Sequence, residues 1–158
     1  MLDRAPTVSV VSDFEAFFRA TEPSLRRALV AGFGGDLGRE ATAHALAYGW
    51  QHWERVERLD NSAGYLYRVG ERWARRHRLR TAPSPSFEAG GEARSFEPQL
   101  PAALASLPKR QRQAVVLVVG YGLSHSEAAR MLGIRRSSVQ NHVERALGAL
   151  RRSIGAVT

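Results

Sequence analysis

The chain has 158 residues, 44% of them hydrophobic, with 23 Lys and Arg against 15 Asp and Glu, a net charge of +8 and no cysteine. That length allows one ordinary domain or two small ones with real cores, and the missing thiols exclude disulfides and thiolate metal sites and agree with a reducing cytoplasm. The longest stretch free of Asp, Glu, Lys and Arg, Gln113 to Ser126, is too short to span a bilayer, and Met1 to Asp13 lacks a basic start with an apolar run, so a cytoplasmic protein without membrane insertion is expected.

The charge is unevenly spread. Residues 1–60 hold 7 basic and 9 acidic side chains, 61–80 hold 6 and 1, 81–106 hold 1 and 3, and 107–158 hold 9 and 2. Two basic surfaces flanking an acidic segment suit contact with a polyanion at two places, although a basic face can also be no more than a solvated one.

Taken in order, Met1 to Val11 reads as a loose tail. Ser12, followed three residues later by Glu15, has capping-box spacing, and Phe14, Phe17, Phe18, Leu25 and Leu29 give a first helix its apolar face, which Pro23 should kink or divide. Gly32 to Gly35 then breaks the chain; it is short and follows a helix, so it is a connector and not a phosphate-cradling loop. A second helix is expected from Leu37 to Arg58, with Leu46, Trp50, Trp53 and Val56 in a core or interface. His44 and His52 have no further ligand at suitable spacing and suit surface or packing roles better than a metal.

Leu59 to Gly64 is turn chemistry, with Asn61 or Ser62 able to cap the next helix. That third helix, Tyr65 to Arg80, interleaves Tyr65, Tyr67 and Trp73 with Arg68, Arg72, Arg75, Arg76 and Arg78. Either the rings pack in a core under a wet basic back, or bases stack on them while guanidinium groups hold phosphates, as binding of single-stranded DNA requires. Thr81 to Glu97, with Pro83, Pro85, Gly90 and Gly91 among Ser and Glu, has linker composition and separates two domains.

A short helix from Gln99 to Leu107 comes next, and Pro108 opens another through Arg112, Val115, Val116, Leu117 and Val119 to Gly120. The run VVLVV could pass for a buried strand, but the preceding LPKRQR and the segment beyond favour a helix. In that segment Ser124 and Glu127 form a capping box, Leu132 closes an apolar face, and Gly133 can take the left-handed conformation that ends the helix. Val139, Val143, Ala146, Leu147 and Leu150 then make one stripe of a helix from Ser137 to Leu150, with Ser137, Ser138, Gln140, Asn141, Glu144 and Arg145 mostly opposite. Short amides and hydroxyls with arginines suit base edges and phosphates in a major groove, so the pair reads as a helix-turn-helix and its second helix as the reader. The expected fold is all-α: a helical domain over 1–80, a flexible linker over 81–97, and a helix-turn-helix domain over 98–158.

The order LPKRQR, GLSHSEAARMLGI, SSVQNHVERALGALRR resembles region four of the extracytoplasmic-function class of bacterial sigma factors. GREATAHALAYGW followed by NSAGYLYRVGERWARRHRLR resembles a diverged region two of that class. The resemblance implies a sigma factor that binds core RNA polymerase and promoter DNA without a cofactor, with room for an anti-sigma protein as a further partner. It implies that Glu40, His44 and Gln51 face the polymerase clamp. Asn61, Tyr65, Arg68, Arg72, Trp73, Arg75 and Arg76 would meet the melted minus-ten element, and Arg135, Arg136, Ser137, Ser138, Gln140, Asn141, His142 and Arg145 the minus-35 duplex. His44 and Arg72 depart from the pattern, which usually has an acidic residue and an asparagine there. The QNHV run also resembles the DNA-binding domain of response-regulator-type activators, though the two-domain charge pattern argues against that class. Paired carboxylates, a Ser/His/Asp set and a metal-ligand cluster do not stand out, so an enzyme is not expected.

Overall fold

The computed structural model describes residues 8–78 and 99–155, and among these every regular element is a helix. The elements are α1 Val8–Phe33, α2 Gly35–Gln51, α3 Trp53–Val56, α4 Ser62–Arg78, α5 Leu100–Ser106, α6 Lys109–Val115 with a π-helical turn Val116–Gly120 at its end, α7 His125–Leu132 and α8 Arg136–Gly155. The expected linker, Thr81 to Glu97, lies outside the described residues.

The first helix starts earlier than its cap signal. Ser12 lies inside α1 instead of capping it, and Val8 to Val11, read from sequence as tail, is helical. Pro23 does not divide the helix. A proline removes one backbone donor, and burial of Leu25, Ala28 and Leu29 on the following turns outweighs that loss, each leucine contributing about 1.5–3 kcal/mol. The connector shrinks to Gly34, whose φ of 92° turns α1 into α2. The second helix is interrupted at His52, and α3 continues it for one turn.

Leu46, Trp53 and Val56 are buried as expected, but Trp50 is 40% exposed. Its ring lies 5.1 Å from Phe14, so it packs on the rim of an aromatic group in which Phe14 and Phe17 also meet Trp53. Tyr67 resolves the two readings of the arginine-rich helix in part: it is wholly buried, whereas Tyr65 and Trp73 are half-buried.

The valine run is helical. Tyr121 N–H donates to Val116 O at 3.1 Å across the π-turn, and Leu123 N–H reaches Leu117 O at 3.0 Å. The helix-turn-helix signals are realised: Ser124 Oγ accepts from the Glu127 amide at 3.0 Å, the Glu127 carboxylate accepts from the Ser124 amide at 2.8 Å, and Gly133 ends α7 at φ 68°. In α8, Val139, Val143, Ala146 and Leu150 are buried.

A main core joins both halves of the chain. Leu25, Leu29, Leu66 and Tyr67 share it with Ala114, Leu117, Ala128, Leu132, Val139 and Val143. A smaller core of Ala103, Leu107, Val115, Ala146 and Leu150 fastens α5 to the packed pair α6 and α8.

Candidate nucleic-acid interface

The outer face of α8 follows from its stripe. With Val139 and Val143 turned inward, Ser137, Gln140, Asn141, Glu144 and Arg145 are exposed, as are Arg135 and Arg136 at the start of the helix. Gln140 Nε2 lies 3.3 Å from Glu144, and the face is otherwise open to a partner. Ser138 and His142 sit at its edge, half-buried. Burial, then the nearby charges of Arg110 and Arg145, push the His142 imidazole below its ordinary pKa, and its Nδ1 is buried without a hydrogen bond. That makes His142 a wall of the reading face more than a cationic contact.

The other basic face lies on α4. Asn61 caps this helix, its Oδ1 accepting from the Gly64 amide at 3.1 Å. Its Nδ2 donates to Arg130 O on α7 at 2.8 Å, and the Arg130 guanidinium returns to Asp60 O at 2.7 Å. The approach is so close that a Cβ on Gly64 would come within 2.6 Å of that carbonyl. Arg68, Arg72, Arg75 and Arg76 are exposed, with Arg75 held to Glu71 at 3.3 Å. Trp73 stacks on His77 at 3.9 Å and on His44 at 5.5 Å.

The structure thus brings His44, expected to face the polymerase, onto Trp73, expected to meet DNA. Glu40, His44 and Gln51 are all exposed along α2.

Sequence reading missed an aromatic and cationic group beside Tyr65. Tyr48 and Tyr65 place their hydroxyls 3.3 Å apart, His52 stacks on Tyr48 at 4.2 Å, and the Arg55 guanidinium donates to both hydroxyls, at 3.3 Å to Tyr65. The hydrogen bond between the two lowers the Tyr48 pKa and raises that of Tyr65, with Arg55 and Arg72 favouring ionisation of both. Two ring faces among two guanidinium groups can hold a base and its phosphate. Periodicity could not show this group, because Tyr48 and Arg55 belong to the end of α2 and to α3 and meet Tyr65 only in the fold.

A buried polar network was also missed. Gln113 is completely buried, and its Nε2 donates to Ala28 O at 2.9 Å and to the Tyr67 hydroxyl at 2.8 Å. That hydroxyl donates to Glu71 at 2.7 Å, and burial pushes its pKa up to about 12. Glu71 also accepts from Lys109 at 3.3 Å and lies 3.6 Å from Arg110. Arg112 donates to Ala31 O and to Gly32 O at 3.2 Å, satisfying carbonyls at the end of α1, and to Leu107 O at 2.8 Å just after α5. A glutamine in an otherwise apolar helical stripe was the available signal.

Among the described residues, groups of three or more His, Cys, Asp or Glu able to hold a metal ion are absent, and no helix is long and apolar enough to cross a membrane.

Residues 98–150 match the family described as Sigma-70, region 4. The fold is similar to that of the sigma factor RpoE from Bartonella quintana, solved with the anti-sigma factor NepR, at 21% identity and a TM-score of 0.66 over 90% of this chain and 97% of that one. It is also similar to CnrH, solved with the cytosolic domain of CnrY, at 21% identity and a TM-score of 0.61 over 92% and 89%. The helix-turn-helix end of this chain, from residue 98 to residue 150, is thus similar to sigma-70 region 4.

Proposed function

We propose that the chain is a sigma factor of the extracytoplasmic-function class, which binds core RNA polymerase and directs promoter recognition and transcription initiation. The observation that carries this reading is the region 4 domain with its open polar α8 face, set on a helical fold shared with sigma factors over nine-tenths of the chain. The activator alternative offers no account of the helical half formed by α1 to α4.

Residues 98–158 act as the duplex-reading lobe and 1–80 as the lobe for polymerase and melted DNA, with 81–97 as the tether. Gln140, Asn141 and Arg145 on α8 present amide and guanidinium groups to base edges, while Arg135, Arg136, Ser137 and Ser138 hold phosphates at the helix start. On the other lobe Tyr65, joined by Tyr48 and Arg55, offers ring faces to unstacked bases, and Arg68, Arg72 and Arg76 follow the backbone. These ring faces are useless to a closed duplex, so part of the binding energy is released only when strands part. Glu40, His44 and Gln51 meet the polymerase, and an anti-sigma protein is a fitting regulator, as RpoE and CnrH were each solved with a partner protein.

Co-purification tests the reading. Affinity-tagged protein should retain core RNA polymerase of its own organism at moderate salt, and free protein should bind duplex promoter only weakly, with strong salt dependence. Tight, selective binding of the free protein to a palindromic duplex, with no polymerase retained, would overturn it.

A further inference from the structure

Trp73 is flanked by two imidazoles from different helices. His77, one turn further along α4, stacks on it at 3.9 Å with 18° between the ring planes, and His44 on α2 stacks on it at 5.5 Å and 23°. The three rings are nearly parallel and form a short column across the joint of α2 and α4. Its inner end is pinned, because His77 Nδ1 donates to Trp73 O at 2.9 Å. Trp73 and His77 are half-buried but His44 is exposed, so the column ends in a ring that faces solvent. An exposed imidazole adds little apolar burial, whereas one more flat ring can extend the column on its outer side.

The surroundings select what that further ring is. Arg72 and Arg76 flank Trp73 on α4 and are exposed, and among the described residues no carboxylate pairs with them as Glu71 does with Arg75. Guanidinium charge beside a flat stack suits a nucleobase carrying its phosphate better than a side chain of a protein.

The column also continues the Tyr48 and Tyr65 group. His44 and Tyr48 are four residues apart on one face of α2, about 6 Å along the helix at 1.5 Å per residue. The charge of Arg72, next to Trp73 in the chain, reaches the hydroxyls of both tyrosines, so one guanidinium serves both sets of rings. A step of about 6 Å exceeds the rise of about 3.4 Å between stacked bases. Two bases held here are therefore parted from each other, which a melted strand allows and a duplex does not. Glu40, one turn before His44, closes the track at its other end, since a carboxylate repels a phosphate.

We propose that His44 is a second stacking platform for the melted strand: one unpaired base lies on its exposed face at the end of the column, the neighbouring base lies at Tyr48 and Tyr65, and Arg72 holds the phosphate between them. The inference rests on the sigma-factor reading and adds the residue that takes a second base. His44 then stands where the polymerase-facing and strand-facing sides of α2 meet. Its departure from the family pattern also gains a use, because the acidic residue usual at that place would repel the strand.

Single-strand affinity of the full-length chain, without polymerase, tests the platform. A mixed-sequence oligonucleotide and the corresponding duplex are titrated at fixed salt against the parent, His44→Ala and His44→Phe. Loss of one base platform should weaken single-strand binding by His44→Ala at least about fivefold, while His44→Phe, which keeps a flat ring, binds as the parent does. Duplex affinity should be equal in all three. The salt dependence of single-strand binding should be the same in His44→Ala as in the parent, because no phosphate contact is lost, and shallower in Arg72→Gln. Equal single-strand affinity of parent and His44→Ala overturns the platform, as does a His44→Phe variant as weak as His44→Ala. Duplex affinity that falls along with single-strand affinity, or a parent with no measurable single-strand affinity, overturns it as well. Failure of the parent to retain core polymerase counts against the sigma-factor reading instead, and the affinities then decide the platform alone.

Discussion

The outward faces of α8 and α4 are both polar and basic, yet they stand in different relations to the rest of the chain. Gln140, Asn141 and Arg145 on α8 lie exposed, and binding there exchanges little beyond the Gln140–Glu144 hydrogen bond. On α4, Asn61 is tied to Arg130, Arg75 to Glu71, Tyr65 to Tyr48 and Arg55, and Trp73 to His44 and His77. Binding there exchanges existing contacts for new ones. The first face is therefore open as it stands, whereas the second is already engaged by the rest of the chain.

The largest expected effect comes from removing what holds the two halves together. Arg112→Ala leaves the Ala31 and Gly32 carbonyls at the end of α1 without their charged donor, and hydrogen bonds to charged groups are worth about 1.5–3 kcal/mol. Urea unfolding should show a loss of about 3 kcal/mol, with the single transition splitting into two. An unsplit transition of unchanged midpoint would erase the distinction between a free face and a held one.

Next is the open face itself. Asn141→Ala or Gln140→Ala should cost about 2 kcal/mol of discrimination at one or two upstream positions, because one bidentate base contact is worth about 1–3 kcal/mol. Competition between promoter variants measures it, and unchanged preference in both variants would mean that α8 is not the reader. Its foundation can be tested separately: Ser124→Ala removes the α7 cap and should cost about 1 kcal/mol in thermal unfolding while leaving base preference intact.

How far these differences could be read from sequence depends on where their partners lie. The capping box at Ser124 and Glu127, the left-handed Gly133 and the α8 stripe are local signals within one turn of helix, and each appears in the structure where the spacing put it. The start of α1 was misread because Ser12 and Glu15 have the right spacing but are covered by helix on both sides, and Pro23 was overruled by the buried face around it. The Tyr48, Arg55 and Tyr65 group and the Gln113 network were invisible because they join different helices, with Gln113 meeting Ala28 across 85 residues of chain, and only the fold brings them together. Trp50 looked like core by residue type, yet sits on a rim.

The smallest effect concerns pH. Burial raises the Glu71 carboxyl pKa, but the Tyr67 hydroxyl and the charges of Lys109, Arg110 and Arg75 outweigh it and hold the group below its ordinary value of 4.5. Its stabilisation of the contact between α4 and α6 is therefore fully present above that value and is lost as pH falls through the lower folded one. Fluorescence energy transfer between labels on the two halves should be flat above 4.5 and decline only below it, and Glu71→Gln should flatten that acid decline.

The central claim is that this chain gives core polymerase its promoter choice, and transcription in a defined system tests it most directly. Core RNA polymerase of the same organism, incubated with linear genomic fragments with and without the protein, should yield transcripts starting at a small set of common sites only when the protein is present. Transcripts identical in the two samples, under salt where the protein is folded and binds DNA, would contradict it.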